Sequence, residues 1–131
     1  MPEPGDVALV DFAGAAKTKR RPTVVVSSAT YHEHRPDVIL ATLTTQMPAV
    51  TSPTDCVIQD WKDAGLHKPS VFRAYFGMAE TSVVKVIGHL SDRDWRAAQE
   101  CLGRAIAVRM LPPKSGPNTT RADMEGEGRE G

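Results

Sequence analysis

Two short blocks carry the residue types that phosphate chemistry needs. Arg20-Arg21-Pro22 runs straight into the apolar stretch Thr23-Val24-Val25-Val26-Ser27-Ser28, and further along Leu43-Thr44-Thr45-Gln46 closes a second β-like run. A guanidinium at the mouth of one strand and a hydroxyl pair at the end of the next can converge on one phosphate. Arginine suits such a role because its planar fork grips two oxygens and its charge persists at any ordinary pH. Neither block contains histidine. Taken alone, the two blocks also fit a surface arginine capping a strand and a threonine forming a turn.

The other chemistry-bearing residues do not assemble in the sequence. His32 and His34 flank Glu33, but a pair two positions apart in a loop, with no third and fourth ligand, is a poor metal motif. His67 stands beside Lys68 and His89 near the end of the last expected strand, so neither a metal nor another cofactor is assigned. Ser27-Ser28 lacks the surroundings of a nucleophile elbow. Cys56 and Cys101 form no closely spaced pair, and no signal peptide or long apolar stretch is apparent. The expectation is free thiols in a reducing cytoplasm, with no membrane span.

Charge is balanced overall, with 16 basic and 16 acidic residues, so no global field marks a nucleic-acid binder. The local pattern is sharper. Lys17, Lys19, Arg20 and Arg21 put four cations into five positions. Lys17, Lys19 and Arg20 are candidate nucleic-acid phosphate contacts, of the kind that salt weakens; a solvated loop is the alternative. Tyr31, Phe72 and Tyr75 could stack against bases or fill the core.

These residues need elements to position them. Val7–Phe12 reads as a first strand, followed by a loop from Ala13 to Lys19. Pro22 biases Arg21 towards an extended conformation and is tolerated at the first position of the strand Thr23–Ser28. A polar loop with Tyr31–Pro36 leads to the strand Val38–Thr44, rich in β-branched residues. Further strands are expected around Asp55–Gln59, Ser70–Ala79 and Val83–Leu90, with a glycine-closed helical turn at Asp60–Gly65. Ser91-Asp92-Arg93-Asp94 is a helix start. Trp95, Ala98, Leu102, Ala105 and Ile106 supply an apolar face, and Pro112-Pro113 the stop. Aromatic residues make up only 5% of the chain, so valines should fill the core. Residues 1–111 fit one domain; 112–131, with four glycines and few apolar side chains, should form a disordered polar tail.

Four blocks then occur in a telling order: Gly5-Asp6-Val7, Arg20-Arg21-Pro22, Thr44-Thr45-Gln46 and Lys68-Pro69-Ser70-Val71-Phe72-Arg73. Together they resemble the MazF/PemK family of toxin endoribonucleases, over roughly residues 4 to 108. The resemblance implies a mainly β fold with a C-terminal α-helix, a small Src-homology-like β-barrel shared with the gyrase inhibitor CcdB, assembled as a two-fold homodimer. It implies the toxin of a type II toxin–antitoxin system, a metal-independent endoribonuclease that cleaves single-stranded RNA. A cognate antitoxin with an acidic disordered segment would restrain it. In the family's scheme Arg21 stabilises the phosphate and its transition state and Thr44 orients the phosphate, with Thr45 and Gln46 in the same block and Arg73 matching a further arginine. Tyr75 stands where PemK-like members carry aspartate, and the first loop lacks their histidine. A phenol can donate a proton but does not replace a carboxylate base near neutrality. The chemistry therefore follows the MazF-like Arg/Thr scheme, or the chain is an inactive member. A CcdB-like topoisomerase inhibitor acting by protein binding is the other alternative.

Overall fold

The computed structural model describes residues 1–13, 18–46 and 52–107. The expected tail at 112–131 and Lys17 lie outside them. Six antiparallel strands, β1 (Asp6–Ala13), β2 (Thr18–Val25), β3 (Asp37–Thr44), β4 (Asp55–Ile58), β5 (Ser70–Glu80) and β6 (Lys85–His89), form one sheet in the order β4-β5-β3-β2-β1-β6. The sheet curls into a half-barrel with a C-terminal helix beside it, the mainly β architecture expected.

β3 is the spine. Its buried positions do not simply alternate: Val38, Leu40, Ala41 and Leu43 are all covered, as a strand with packing on both faces requires. Ala41 and Leu43 join Val7, Val24, Ile58 and Phe72 in the larger core cluster, while Val38 and Leu40 join Val10 and Val25 in a smaller one. Valine supplies three of the four buried residues of the smaller cluster but only two of the eleven in the larger, where leucine, alanine, Ile58 and Phe72 do most of the filling.

The larger cluster is closed by α2 (Asp92–Ala105). Ala98 and Cys101 are buried against the sheet, and Trp95 and Leu102 pack beside them. The Ser91 hydroxyl caps the helix, accepting from the Asp94 amide at 3.3 Å, as the sequence predicts. The helix stops at Ala105, well before Pro112-Pro113, and Ile106 is 43% exposed rather than packed.

A second helix was not legible. Ala29–His34 forms α1, where a polar loop is expected, with the Ser28 hydroxyl accepting from the Tyr31 amide at 3.1 Å. It buries no residue, so no apolar periodicity announces it. A 3₁₀ turn at Thr81–Val83 likewise shortens the last strand, which begins at Lys85.

The Asp60–Gly65 turn matches expectation. Leu66 N–H donates to the Trp61 carbonyl at 3.0 Å and Gly65 N–H to that of Lys62 at 3.1 Å, the paired bonds of a glycine-terminated helical turn. Gly65 has φ +86 and packs on β6 so closely that a Cβ would overlap the Ile87 carbonyl oxygen; a Cβ on Gly88 would overlap that of Ala64. Among the described residues no helix is long and apolar enough to cross a membrane.

Candidate active site

β2 begins earlier than the sequence suggests. Arg21 therefore lies within the strand, opposite Val10, rather than at its mouth. Pro22 decides what happens next. The β2–β3 ladder covers only Thr23–Val25, starting with Thr23 opposite Thr42, and a proline has no amide to carry it further. Continuing the same register would bring Arg21 level with Thr44. The strands instead part there, leaving a guanidinium and a hydroxyl on either side of a gap.

On the other side of β3 the register breaks as well. Ala41 faces Phe76, but Thr42 faces Arg73, so Ala74 and Tyr75 are unpartnered in β5. Such a bulge bends the strand and re-aims its side chains. Tyr75 is left 72% exposed, and Arg73 is carried alongside Thr42.

The result is a cleft of about 560 Å³ lined by Arg21, Thr42, Thr44, Gln46, Arg73 and Tyr75, with Phe76 and three aliphatic or glycine positions completing it. Among the described residues Arg21 has no ion-pair or hydrogen-bond partner, so its donors are available to an anion. The Thr44 hydroxyl accepts from the Gln46 amide at 3.2 Å. That bond fixes the side chain and occupies an acceptor site, leaving the hydroxyl proton to donate into the cleft. Arg73 Nε lies 3.9 Å from Asp55 Oδ1, a carboxylate only 5% exposed. The contact steers the arginine while most of its five N–H donors stay unused. Among the described residues no carboxylate or imidazole lines the cleft.

The structure thus brings together Arg21, Thr44, Gln46, Arg73 and Tyr75. It separates others. Thr45, next to Thr44, lines a different cleft. Arg20 pairs with Asp11 at 3.0 Å, on the opposite side of β2 from Arg21 by strand alternation; the Asp11 hydrogen bond raises the pKa of its guanidinium. Lys19 is exposed on β2, two positions from Arg21 and on its side by the same alternation. Thr42 and Phe76 were missed. Thr42 was readable, lying two residues before Thr44 on one face of a strand, whereas Phe76 enters only through the bulge. Among the described residues no three His, Cys, Asp or Glu side chains group as metal ligands.

Known structures share this fold. An endoribonuclease in complex with its cognate antitoxin, from a mycobacterial species, superposes with a TM-score of 0.68 at 19% identity, covering 85% of this chain and 100% of that one. The Mycobacterium tuberculosis toxin MazF-mt6 gives a TM-score of 0.61 at 20% identity, covering 76% and 94%. A chain of a MazE–MazF structure from Deinococcus radiodurans gives 0.63 at 18%, covering 79% and 94%. At these identities the likeness is one of fold. A search of curated proteins returns no match. Residues 3–106 match the family described as the PemK-like, MazF-like toxin of type II toxin–antitoxin systems, and the chain belongs to that family.

Proposed function

We propose that this toxin is an endoribonuclease that cleaves single-stranded RNA in the Arg21/Thr44 cleft without a metal ion. The observation that carries the reading is the convergence of two guanidiniums and a hydroxyl donor on one open cleft, fixed by Pro22 on one side of β3 and by the β5 bulge on the other.

The 2′-oxygen attacks the adjacent phosphorus; a bond forms between them as the bond from phosphorus to the 5′-oxygen breaks. Products are a 2′,3′-cyclic phosphate and a 5′-hydroxyl. Arg21 binds the non-bridging oxygens and neutralises charge that develops in the pentavalent transition state. Thr44 donates to the same phosphate and orients it, and Arg73 supplies a second fork. With no carboxylate or imidazole among the described lining residues, the 2′-hydroxyl proton passes to water and the leaving oxygen takes one from water or from the Tyr75 phenol. Charge stabilisation therefore carries most of the rate. Thr45 borders the cleaved nucleotide, and Lys17, Lys19 and Arg20 add the salt-sensitive attraction that gathers RNA.

The biological partner is an antitoxin whose acidic, disordered segment lays carboxylates over Arg21 and Arg73 and excludes phosphate. The toxin acts in the cytoplasm as a homodimer. Exposed Tyr75, Phe76 and Met78 lie on the stretch of β5 beyond its pairing with β4, and such an unpaired apolar margin favours association. Long single-stranded RNA incubated with purified toxin in chelator tests the reading. Fragments with 5′-hydroxyl ends are expected; intact RNA would refute it.

A further inference from the structure

A second cleft, of about 380 Å³, lies beside the first and has no part in the chemistry described above. Arg21 and Pro22 are consecutive, as are Thr44 and Thr45; the first of each pair lines the catalytic cleft and the second lines this one. Arg21 and Pro22 are neighbours within β2, and Thr45 lies just past the end of β3, so the two clefts adjoin at one sheet margin. An RNA strand clamped by its phosphate at that margin has neighbouring nucleotides within reach of both.

The lining is of a different kind. Leu9, Pro22, Leu66 and Ile87 form apolar walls, and Thr45, His67 and Lys68 supply the exposed polar rim. Apolar walls with a few polar groups at the edge suit a flat group that buries its faces and hydrogen-bonds along its rim. A nucleobase has that character, and one lysine is enough to meet the phosphate that accompanies it. An acidic peptide would call for more cations than Lys68 alone. The rear wall is also rigid: Leu66 closes the glycine-terminated turn, and the Gly65 and Gly88 contacts lock that turn against β6. A preformed wall costs a bound base no reorganisation.

We propose that this cleft holds the base of a nucleotide adjacent to the cleaved phosphodiester, and that its lining contributes to which RNA sequences are cut. This rests on the RNA-cleavage reading above. The test uses oligoribonucleotides spanning a mapped cleavage site, each with a single abasic ribose at one position. With the wild-type toxin, removing the base at one adjacent position should raise KM by about tenfold, the scale of losing the apolar burial of one base face, with little change in kcat. Thr45→Trp fills the cleft mouth, and Lys68→Ala removes only an exposed rim group. In Thr45→Trp the intact oligonucleotide should lose the same factor and the abasic penalty should vanish; in Lys68→Ala, which loses a phosphate contact that an abasic site keeps, KM should rise for both substrates and the penalty should stay. Equal tolerance of abasic sites on both sides, with cleavage preserved, overturns the subsite and leaves the endoribonuclease reading standing. An undiminished penalty in Thr45→Trp overturns it too, as does a variant with unchanged RNA kinetics and weakened antitoxin binding. A wild-type toxin that neither cuts nor binds these RNAs removes both readings together.

Discussion

Asp94 is the side chain on which the architecture around the site turns, and its removal gives a quantitative test. It is 2% exposed, and its two carboxylate oxygens accept from the Gln59 amide at 2.9 Å and the Asp60 amide at 2.8 Å. These bonds tie the N-terminus of α2 to the turn that supplies Gly65 and Leu66 to the second cleft. Each hydrogen bond to a charged group contributes about 1.5–3 kcal/mol, and a buried donor left unpaired incurs its own desolvation cost. Asp94→Ala strands two backbone donors at once. Admitting that water reaches one of them, the loss should be about 3–5 kcal/mol, a large share of the roughly 5–15 kcal/mol available to a domain. Asp94→Asn keeps one acceptor and should lose about half as much. Urea unfolding at neutral pH, followed by circular dichroism, gives both numbers from the shift in midpoint at constant slope. Exposed Asp92→Ala controls for the helix dipole and should stay within about 1 kcal/mol. An Asp94→Ala protein as stable as the Asp92→Ala control would refute the reasoning, because the clamp would then carry no load.

Two further outcomes follow from the titrating groups. Arg93, then Ser91, hydrogen-bonds Asp60 and holds its carboxyl down to about 2. A folded pKa below the unfolded one contributes stability that is complete above about pH 4 and is lost as pH falls from there towards about 2. The stability deficit of Arg93→Ala at neutral pH should therefore narrow across that acid window; a deficit constant to pH 2 would contradict the pairing. Burial, and then the neighbouring Cys101 thiol, push Cys56 up to about 12. Both thiols should resist a disulfide reagent at pH 8 in the native protein and react fully in denaturant, and fast native labelling would contradict the packing.

The sequence carried the strands well because their burial leaves a direct mark. Val38–Thr44 is β-branched and bounded by turn residues, and the Ser91 cap and the Gly65 turn follow from local chemistry that tertiary context did not override. What escaped has physical reasons. α1 buries nothing, so polar contacts hold it: the Ser28 cap, Tyr31 on Asp37 and His32 against Ser27. Arg21 lies inside β2 because pairing with β1 extends the strand past a proline that would stop a central one; proline is tolerated there because β3 has already turned away. The sequence shows two cysteines far apart, whereas β4 and α2 bring them into one core cluster. Asp94 reads as a helix-dipole acid and proves to be a buried acceptor. For the site, family-like motifs placed Arg21, Thr44, Gln46, Arg73 and Tyr75, and the structure gathers all five. The split between Thr44 and Thr45 depends on where β3 ends and which cleft each residue lines, and that needed the fold.

The most direct test compares Arg21 with its neighbour. Wild-type, Arg21→Ala and Arg20→Ala proteins, each shown folded by circular dichroism, are incubated in chelator with the same long single-stranded RNA, and initial rates and 5′ ends are measured. Loss of one preorganised donor to the transition state lowers kcat by about 10²–10³. That loss should appear in Arg21→Ala, while Arg20→Ala, whose side chain pairs with Asp11 on the opposite side of β2, should show at most a modest, salt-dependent rise in KM. Equal rates for folded Arg21→Ala and wild type would contradict the account.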